Sequence, residues 1–581
     1  MSGIAPAAVN LQPRWIFPEE DSGADGFARE MGLQMPAARV LWSRGYRTSD
    51  EARRFLQPGL EDMHDPFLMK DMDRAVERLK RAILEKQKIL LYGDYDVDGT
   101  TSIVILKKAL DLAGASSEFF VPHRMRDGYG MRPEVIDRAA ADGVALVISV
   151  DTGIRANAVV THAKELGIDV IVTDHHLPDA ELPPALAVIN PNRRDCDYPE
   201  KNLCGAGVAF KLVQALMRVL DWPAERIHKI SESMLKMIAV ATVADVVPLL
   251  GENRVIVKRG LQGFHTVRNP GLRALLRVAG FNDGERPTAG QIAFRVAPRI
   301  NAAGRMANAA DVIEMFLTND EKHALKLATE LHELNKERQD TEAEIVSLIQ
   351  EICIQQPVTE GHAALVFSGK NWHRGVIGIV ASRVVERYHR PVFVLDEDEE
   401  TGLAQGSGRS IRAFHLLEAL ETMPELFTKF GGHRQAAGVT LPLDRVQEFR
   451  ERLNAHALSV LTPEDLRPTV EIDAVLNFSD LTEKAINEVF SLAPFGFGNG
   501  APLFGILNAE LAGPPAVQKE RLLKLAIRQN GRTVMASSWS LASRVSELQM
   551  GRPYHFALCI EEESRGYGHW RVTVKDFTPA I

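Results

Sequence analysis

Between about residues 88 and 250 the chain alternates short β-branched runs with helical patterns, and this alternation restricts its fold more than any other feature. The runs 88–93 (KILLYG), 118–122 (EFFVP), 145–151 (ALVISVD), 169–174 (DVIVTD) and 187–190 (AVIN) read as strands. The segments between them, such as 101–114 with its glycine stop, read as helices. Such a succession predicts a mostly parallel sheet covered on both faces, with ligands gathering at the carboxyl ends of its strands.

Acidic residues recur at those strand ends. The segment 93–99 (GDYDVDG) leaves the first strand and enters a helix. Alternate residues of an extended chain point the same way, so Asp94, Asp96 and Asp98 are expected to converge there. Three like charges in one place need a cation. A calcium loop of the EF-hand kind is a poor fit, because its twelfth position holds Ile105 instead of a glutamate and a strand precedes it. Asp151 ends ALVISVD, Asp174, His175 and His176 end DVIVTDHH, and Asp245 follows an apolar helix in AVATVADVVPL. Any one of these is an acceptable cap or turn residue. Their recurrence on one rim points to a shared site.

Carboxylates with imidazoles and no thiolate suit Mn²⁺ or Mg²⁺. Two such ions about 3.5–4 Å apart activate water and stabilise the leaving oxygen of an in-line phosphoryl displacement, so the set predicts a phosphoesterase. Asp151 would bridge the ions, and an imidazole outside the ligand set would orient or protonate a phosphate oxygen. The sequence contains neither G-x-x-x-x-G-K-[ST] nor G-x-S-x-G, which disfavours an ATPase and a serine hydrolase. Cys196, Cys204, Cys353 and Cys559 form no C-x-x-C pair, which argues against a thiolate metal site and for a reducing compartment.

Composition is that of an ordinary globular chain, 45% hydrophobic and 25% charged, and 581 residues imply three or four domains. From 320 to about 355 a helical pattern without Gly or Pro suggests a connector, about 360–460 a smaller α/β unit, and the last hundred or so residues a small β-barrel. The GAG turn at 205–207 reads as tight packing. A net charge of −9 gives no hint of nucleic acid, so any positive charge for a strand must be local. Arg124 and Tyr129, Asn301 and Arg305, Arg409 in GSGRS, and Gly432 with His433 in GGHRQAAG are expected phosphate clamps, since glycine turns expose N–H groups and arginine adds a bidentate fork. Trp539 and Phe504 are open between barrel core and stacking platform. No run reaches the length of a membrane span and the start lacks a signal-peptide pattern, so a cytoplasmic protein is expected.

GDYDVDG, SVDTG, TDHH and ADVVPL, in that order, resemble the four motifs of the DHH phosphoesterases, and WHRGVIGIVASR with GSGRS and GGHRQAAG resembles the DHHA1 domain that accompanies them. PFGFGNGAPLF and ELNKERQ are similar to features of the RecJ family within that group. The resemblance implies an α/β multidomain fold: an N-terminal segment (1–60), a parallel-sheet DHH domain (61–317), a connecting helix (318–357), a DHHA1 domain (358–460) and an OB-like barrel (461–581). It implies a two-metal exonuclease that degrades single-stranded DNA from the 5′ end to mononucleotides in recombination and repair, with a helicase and a single-strand-binding protein as partners. By matching position, Asp96, Asp98, Asp151, His175 and Asp245 would be metal ligands. Asp94, Asp174 and His176 would be supporting or catalytic, and Ser407, Arg409 and His433 would hold the end phosphate. Asn371 and Gly500 depart from the pattern, at positions where a glycine and a proline are expected. An oligoribonucleotide or cyclic-dinucleotide phosphodiesterase and a non-catalytic DNA-binding scaffold are the competing readings. The long connector and extra barrel disfavour the first, and the intact acidic set disfavours the second.

Overall fold

The computed structural model describes residues 12–19, 23–124, 126–128, 130–562 and 570–580. They form two compact units, one of Arg53–Arg338 with Ala493–Gly500, the other of Gln339–Leu492, Ala501–Ile581 and the described part of Met1–Ala52.

In the first unit five parallel strands lie in the order Ser116–Phe120, Lys88–Tyr92, Val144–Val150, Asp169–Thr173, Ala187–Ile189. All five fall within two residues of their expected positions. Ile89, Leu91, Leu146 and Ile148 pack under the helices Met72–Leu84, Val97–Leu112 and Gly205–Val219. Leu90, Tyr92, Val147 and Val172 face the helices Pro133–Ala141 and Asn157–Glu165. With both faces buried, the four other strands read as largely apolar runs, whereas the edge strand Ser116–Phe120 (SSEFF) stays partly exposed. The order is 2-1-3-4-5 by sequence, so the connections diverge between Lys88–Tyr92 and Val144–Val150, and a crevice opens at their carboxyl ends.

The connector is one helix, Glu321–Gln355, of 35 residues. In the second unit a mixed sheet runs Lys429–Gly432, Ala436–Pro442, Leu403–Arg409, Val392–Asp398, Leu365–Lys370, with only the last pair parallel. Phe393 and Leu395 pack with Phe449 and Leu453 of the helix Val446–Val460. The C-terminal strands form a seven-stranded sheet in which Phe504–Leu511 also pairs with Leu522–Gln529. That pairing closes five strands into the expected OB-like barrel and removes their edges. Phe504 is barrel core, whereas Trp539 is 61% exposed. Among the described residues no helix is long and apolar enough to cross a membrane.

Candidate metal centre

Asp94, Asp96 and Asp98 leave the strand Lys88–Tyr92, yet alternation along an extended chain is not what brings them together. Asp96 is the N-cap of the helix Val97–Leu112, its Oδ1 accepting the N–H groups of Asp98 and Gly99 at 2.9 and 3.0 Å. The helix therefore begins four residues before the expected 101, and Asp98 lies buried in its first turn. The cause is the N-cap itself: an aspartate that satisfies two orphan N–H groups starts a helix inside what reads as loop. Both oxygens of Asp98 accept N–H groups from the start of the helix Gly205–Val219, Gly205 at 2.5 Å and Ala206 at 2.9 Å. A Cβ on residue 205 would come within 2.7 Å of the Asp151 side chain, so only glycine lets these elements meet.

Asp151 follows the strand Val144–Val150 in a left-handed conformation (φ 57°). His175 Nε2 lies 3.2 Å from Asp151 Oδ1, 3.7 Å from Asp245 Oδ2 and 3.9 Å from Asp98 Oδ2. Asp245 caps the carboxyl end of the helix Ala224–Ala244, where the helix dipole disfavours an anion. Asp174 accepts four hydrogen bonds: from the amides of Ile154 (3.0 Å), His175 (2.7 Å) and His176 (3.1 Å), and from His176 Nδ1 (2.7 Å). Behind the two histidines, Asn192 Nδ2 donates to the His175 carbonyl and Asn190 Nδ2 to that of His176, at 2.6 and 2.9 Å.

The donor atoms fall into overlapping groups, Asp94 with Asp96 and Asp151, Asp98 with His175 and Asp245, and Asp151 with both histidines, each within 4.8 Å. Asp94 Oδ1, Asp151 Oδ1, His175 Nε2 and Asp245 Oδ2 are buried and make no hydrogen bond. Four buried acceptors facing one space are costly unless a cation joins them, and ligands of an octahedral ion at about 2.1 Å stand about 3 Å apart. The residues thus fit Mn²⁺ or Mg²⁺. Burial, reinforced by neighbouring carboxylates, pushes Asp94 and Asp151 well above the ordinary carboxylate range and Asp245 up to about 9. Burial holds His175 low, in the neutral form that ligates. For His176 burial is outweighed by its hydrogen bond to Asp174, which raises it. Burial would raise Asp174, but the bond from His176 and the charges of both histidines hold it down.

The expected clamps divide between the units. In the first, Arg124 lies over the Tyr95 ring at 5.2 Å, Asn301 accepts the Val97 N–H at 3.2 Å, and Arg305 lies one residue beyond Gly304, which abuts the Tyr95 carbonyl. All three border the acidic loop; Tyr129 lies outside the described residues. In the second, a concavity of about 380 Å³ is lined by Arg374, Gln405, Ser407, Lys429, Gly431 and Thr440, among others. A Cβ on Gly378, in the first turn of the helix Ile377–Tyr388, would lie 3.2 Å from Arg409 Nη2 and 3.6 Å from Ser407 Oγ. Ser407 and Arg409 thus meet a helix N-terminus, a natural anion site. Gly432 (φ 148°) and exposed His433 end the neighbouring hairpin strand, the His433 amide bonding the carbonyl of Ala436, the strand partner of Arg409. Asn371 stands at φ 61°, a conformation that glycine favours and asparagine tolerates.

Sequence reasoning missed Gly205 and Ala206 as donors to Asp98, and Asn190 and Asn192 as supports of the histidines. The available signals were a glycine pair opening a helix and the short polar run NPN after a strand.

Three stretches match known families: 88–242 the DHH family N-terminal domain, 361–457 the DHHA1 domain and 472–576 the RecJ OB domain. The chain is 39% identical to the single-stranded-DNA-specific exonuclease RecJ of Bacillus subtilis, over 86% of this chain and 62% of that one. It is 38% identical to RecJ of Dickeya dadantii, over 86% of this chain and 88% of the relative. The crystal structure of RecJ with Mn²⁺ from Thermus thermophilus superposes with a TM-score of 0.82 at 30% identity, covering 98% of this chain and 80% of that one. The Mg²⁺ complex of the same protein gives 0.76 at 29% identity.

Proposed function

The chain belongs to the RecJ family of single-stranded-DNA-specific exonucleases, and on that premise we propose that it hydrolyses single-stranded DNA to mononucleotides from the 5′ end, with Mn²⁺ or Mg²⁺. The observation that carries this reading is the pair of donor groups that meet at Asp151, on the crevice where the sheet connections diverge.

Asp96, Asp98, Asp151, His175 and Asp245 would hold two ions, with Asp151 shared. Asp94, expected to be supporting or catalytic, stands with Asp96 and Asp151 and would serve as a further ligand. Ions bound there supply Lewis-acid stabilisation of the phosphodiester charge and activate water at neutral pH. The protein's own part is positional and protonic. The N–H groups of Gly205 and Ala206 fix both oxygens of Asp98. Asp174 orients His176 and favours its protonated form; half-exposed at the rim, His176 is placed to donate a hydrogen bond or a proton to a phosphate oxygen. Ser407, Arg409 and His433 would bind the terminal phosphate, and Arg124, Asn301 and Arg305 would border the path of the strand. The resemblance extends the proposal to a cytoplasmic setting in DNA repair, on strands supplied by a helicase and covered by a single-strand-binding protein.

The test is digestion of a long single strand labelled at either end, in Mn²⁺ or EDTA, by wild type and Asp151→Ala. Early release of the 5′ label as mononucleotide, only in Mn²⁺ and only by wild type, is the expected result. Binding without cleavage by both proteins would favour a scaffold, and cleavage confined to short RNAs a small-substrate phosphodiesterase.

A further inference from the structure

The motif PFGFGNG has no part in the chemistry above, and its placement is unusual. Ala493–Gly500 belongs to the unit that carries the metal centre, although the chain on either side of it, up to Leu492 and from Ala501, belongs to the other unit. We infer that this loop is a brace for the metal centre: it holds the run Asp245–Leu249 in a strained conformation that keeps the Asp245 carboxylate aimed at His175.

The strain is at Val246. It follows the helix Ala224–Ala244 and its cap Asp245 at φ 57°, where glycine is the usual residue, and a β-branched side chain there is a true outlier. Val246 is also 61% exposed, so its own side chain does not anchor it. A backbone held this way persists only where surrounding contacts over-determine it. The loop supplies contacts to Pro248 and Leu249 just beyond Val246, beside Asn253 Nδ2, which donates to the Pro248 carbonyl at 3.1 Å. The Leu249 N–H donates to the Phe497 carbonyl at 2.8 Å. Gly498 (φ 72°) lies so close that a Cβ would fall 2.9 Å from Pro248 Cβ, and a Cβ on Gly496 would fall 2.7 Å from Leu249 Cδ1. The loop is itself fixed: Gly496 and Asn499 exchange backbone hydrogen bonds at 2.9 and 3.1 Å. Buried Asn499 donates from Nδ2 to the Pro494 carbonyl at 2.8 Å, and Arg254 Nη2 donates to the Ala493 carbonyl at 3.0 Å. Phe497 takes part through its backbone, and its ring is 59% exposed. Gly496 and Gly498 of PFGFGNG are thus explained by close approach to Leu249 and Pro248, four and three residues beyond a proposed ligand.

The inference rests on Asp245 being a ligand, and the experiment separates the two ideas. Mn²⁺ binding to the full chain is titrated by the electron paramagnetic resonance of free Mn²⁺, without substrate, for wild type, Asp245→Ala, Gly498→Ala, Phe497→Ala and Val246→Gly. The brace predicts that Gly498→Ala weakens binding about tenfold, the size of effect typical of groups that orient metal ligands, and that Phe497→Ala leaves it unchanged. Val246→Gly, which removes the strain, should bind as wild type and should restore most of the affinity when combined with Gly498→Ala. That rescue keeps the test decisive if Gly498→Ala also lowers thermal stability. Loss of affinity in Asp245→Ala with none in Gly498→Ala, or a double variant no better than Gly498→Ala, would overturn the brace. Unchanged binding in Asp245→Ala would overturn the ligand reading beneath it.

Discussion

Asp174 makes four hydrogen bonds and belongs to none of the candidate metal groups, so its contribution passes through the two histidines it holds. Asp174→Asn should leave the fold intact and lower kcat by about 10–100-fold, the range for residues that orient functional groups. With the carboxylate gone, the His176 pKa falls. If the protonated imidazole serves the reaction, the limb on which activity declines with rising pH moves to lower pH, and a pH–rate profile of the variant reads this directly. The carboxylates carry a second pH prediction. With their folded pKa values raised, Asp94, Asp151 and Asp245 bind more protons in the metal-free folded protein than in the unfolded chain. Stability in EDTA should therefore be fully present below the unfolded values near 4 and fall as pH rises toward about 9, the folded value of Asp245. Thermal unfolding across that range should show a declining Tm in EDTA and a much flatter one in Mn²⁺.

Two helix ends build the centre from opposite electrostatic positions. The start of Gly205–Val219 offers N–H groups to Asp98, while the end of Ala224–Ala244 places Asp245 against its own dipole. Gly205→Ala would push a methyl into Asp151, so it should weaken Mn²⁺ binding by about 10–100-fold in a calorimetric titration. The strands and the long connector were legible because their patterns are local: KILLY, VALVISV and DVIVT are dominated by apolar, mostly β-branched or leucine residues, and 321–355 lacks any breaker. Asp151, His175 and Asp245 could be read as one site because each ends an element on one rim. The start at Val97 was hidden, because an aspartate N-cap and a loop aspartate are the same letter. Gly205 with Asp98, Asn192 with His175, and Arg14–Ile16 paired with Thr469–Glu471 depend on how distant elements dock, which no local pattern encodes.

At the scale of the whole chain, the proposed chemistry and the proposed end recognition fall in different units, which makes them separable by experiment. Arg409→Ala, in the second unit, should raise KM for a 5′-phosphorylated strand about tenfold or more, the loss expected when a charged hydrogen-bond partner is removed. Mn²⁺ affinity and kcat should stay near wild type, since Arg409 belongs to the second unit, where it meets Ser407 and a helix start. With a net charge of −9, the attraction for DNA would fall to such local cations, and the KM effect should shrink as salt rises. Anomalous diffraction from crystals grown in Mn²⁺ would locate the ions of the proposed two-ion centre shared by Asp151. Two peaks about 3.5–4 Å apart with the Asp151 carboxylate between them are predicted; one peak, or two that Asp151 does not touch, would contradict the account.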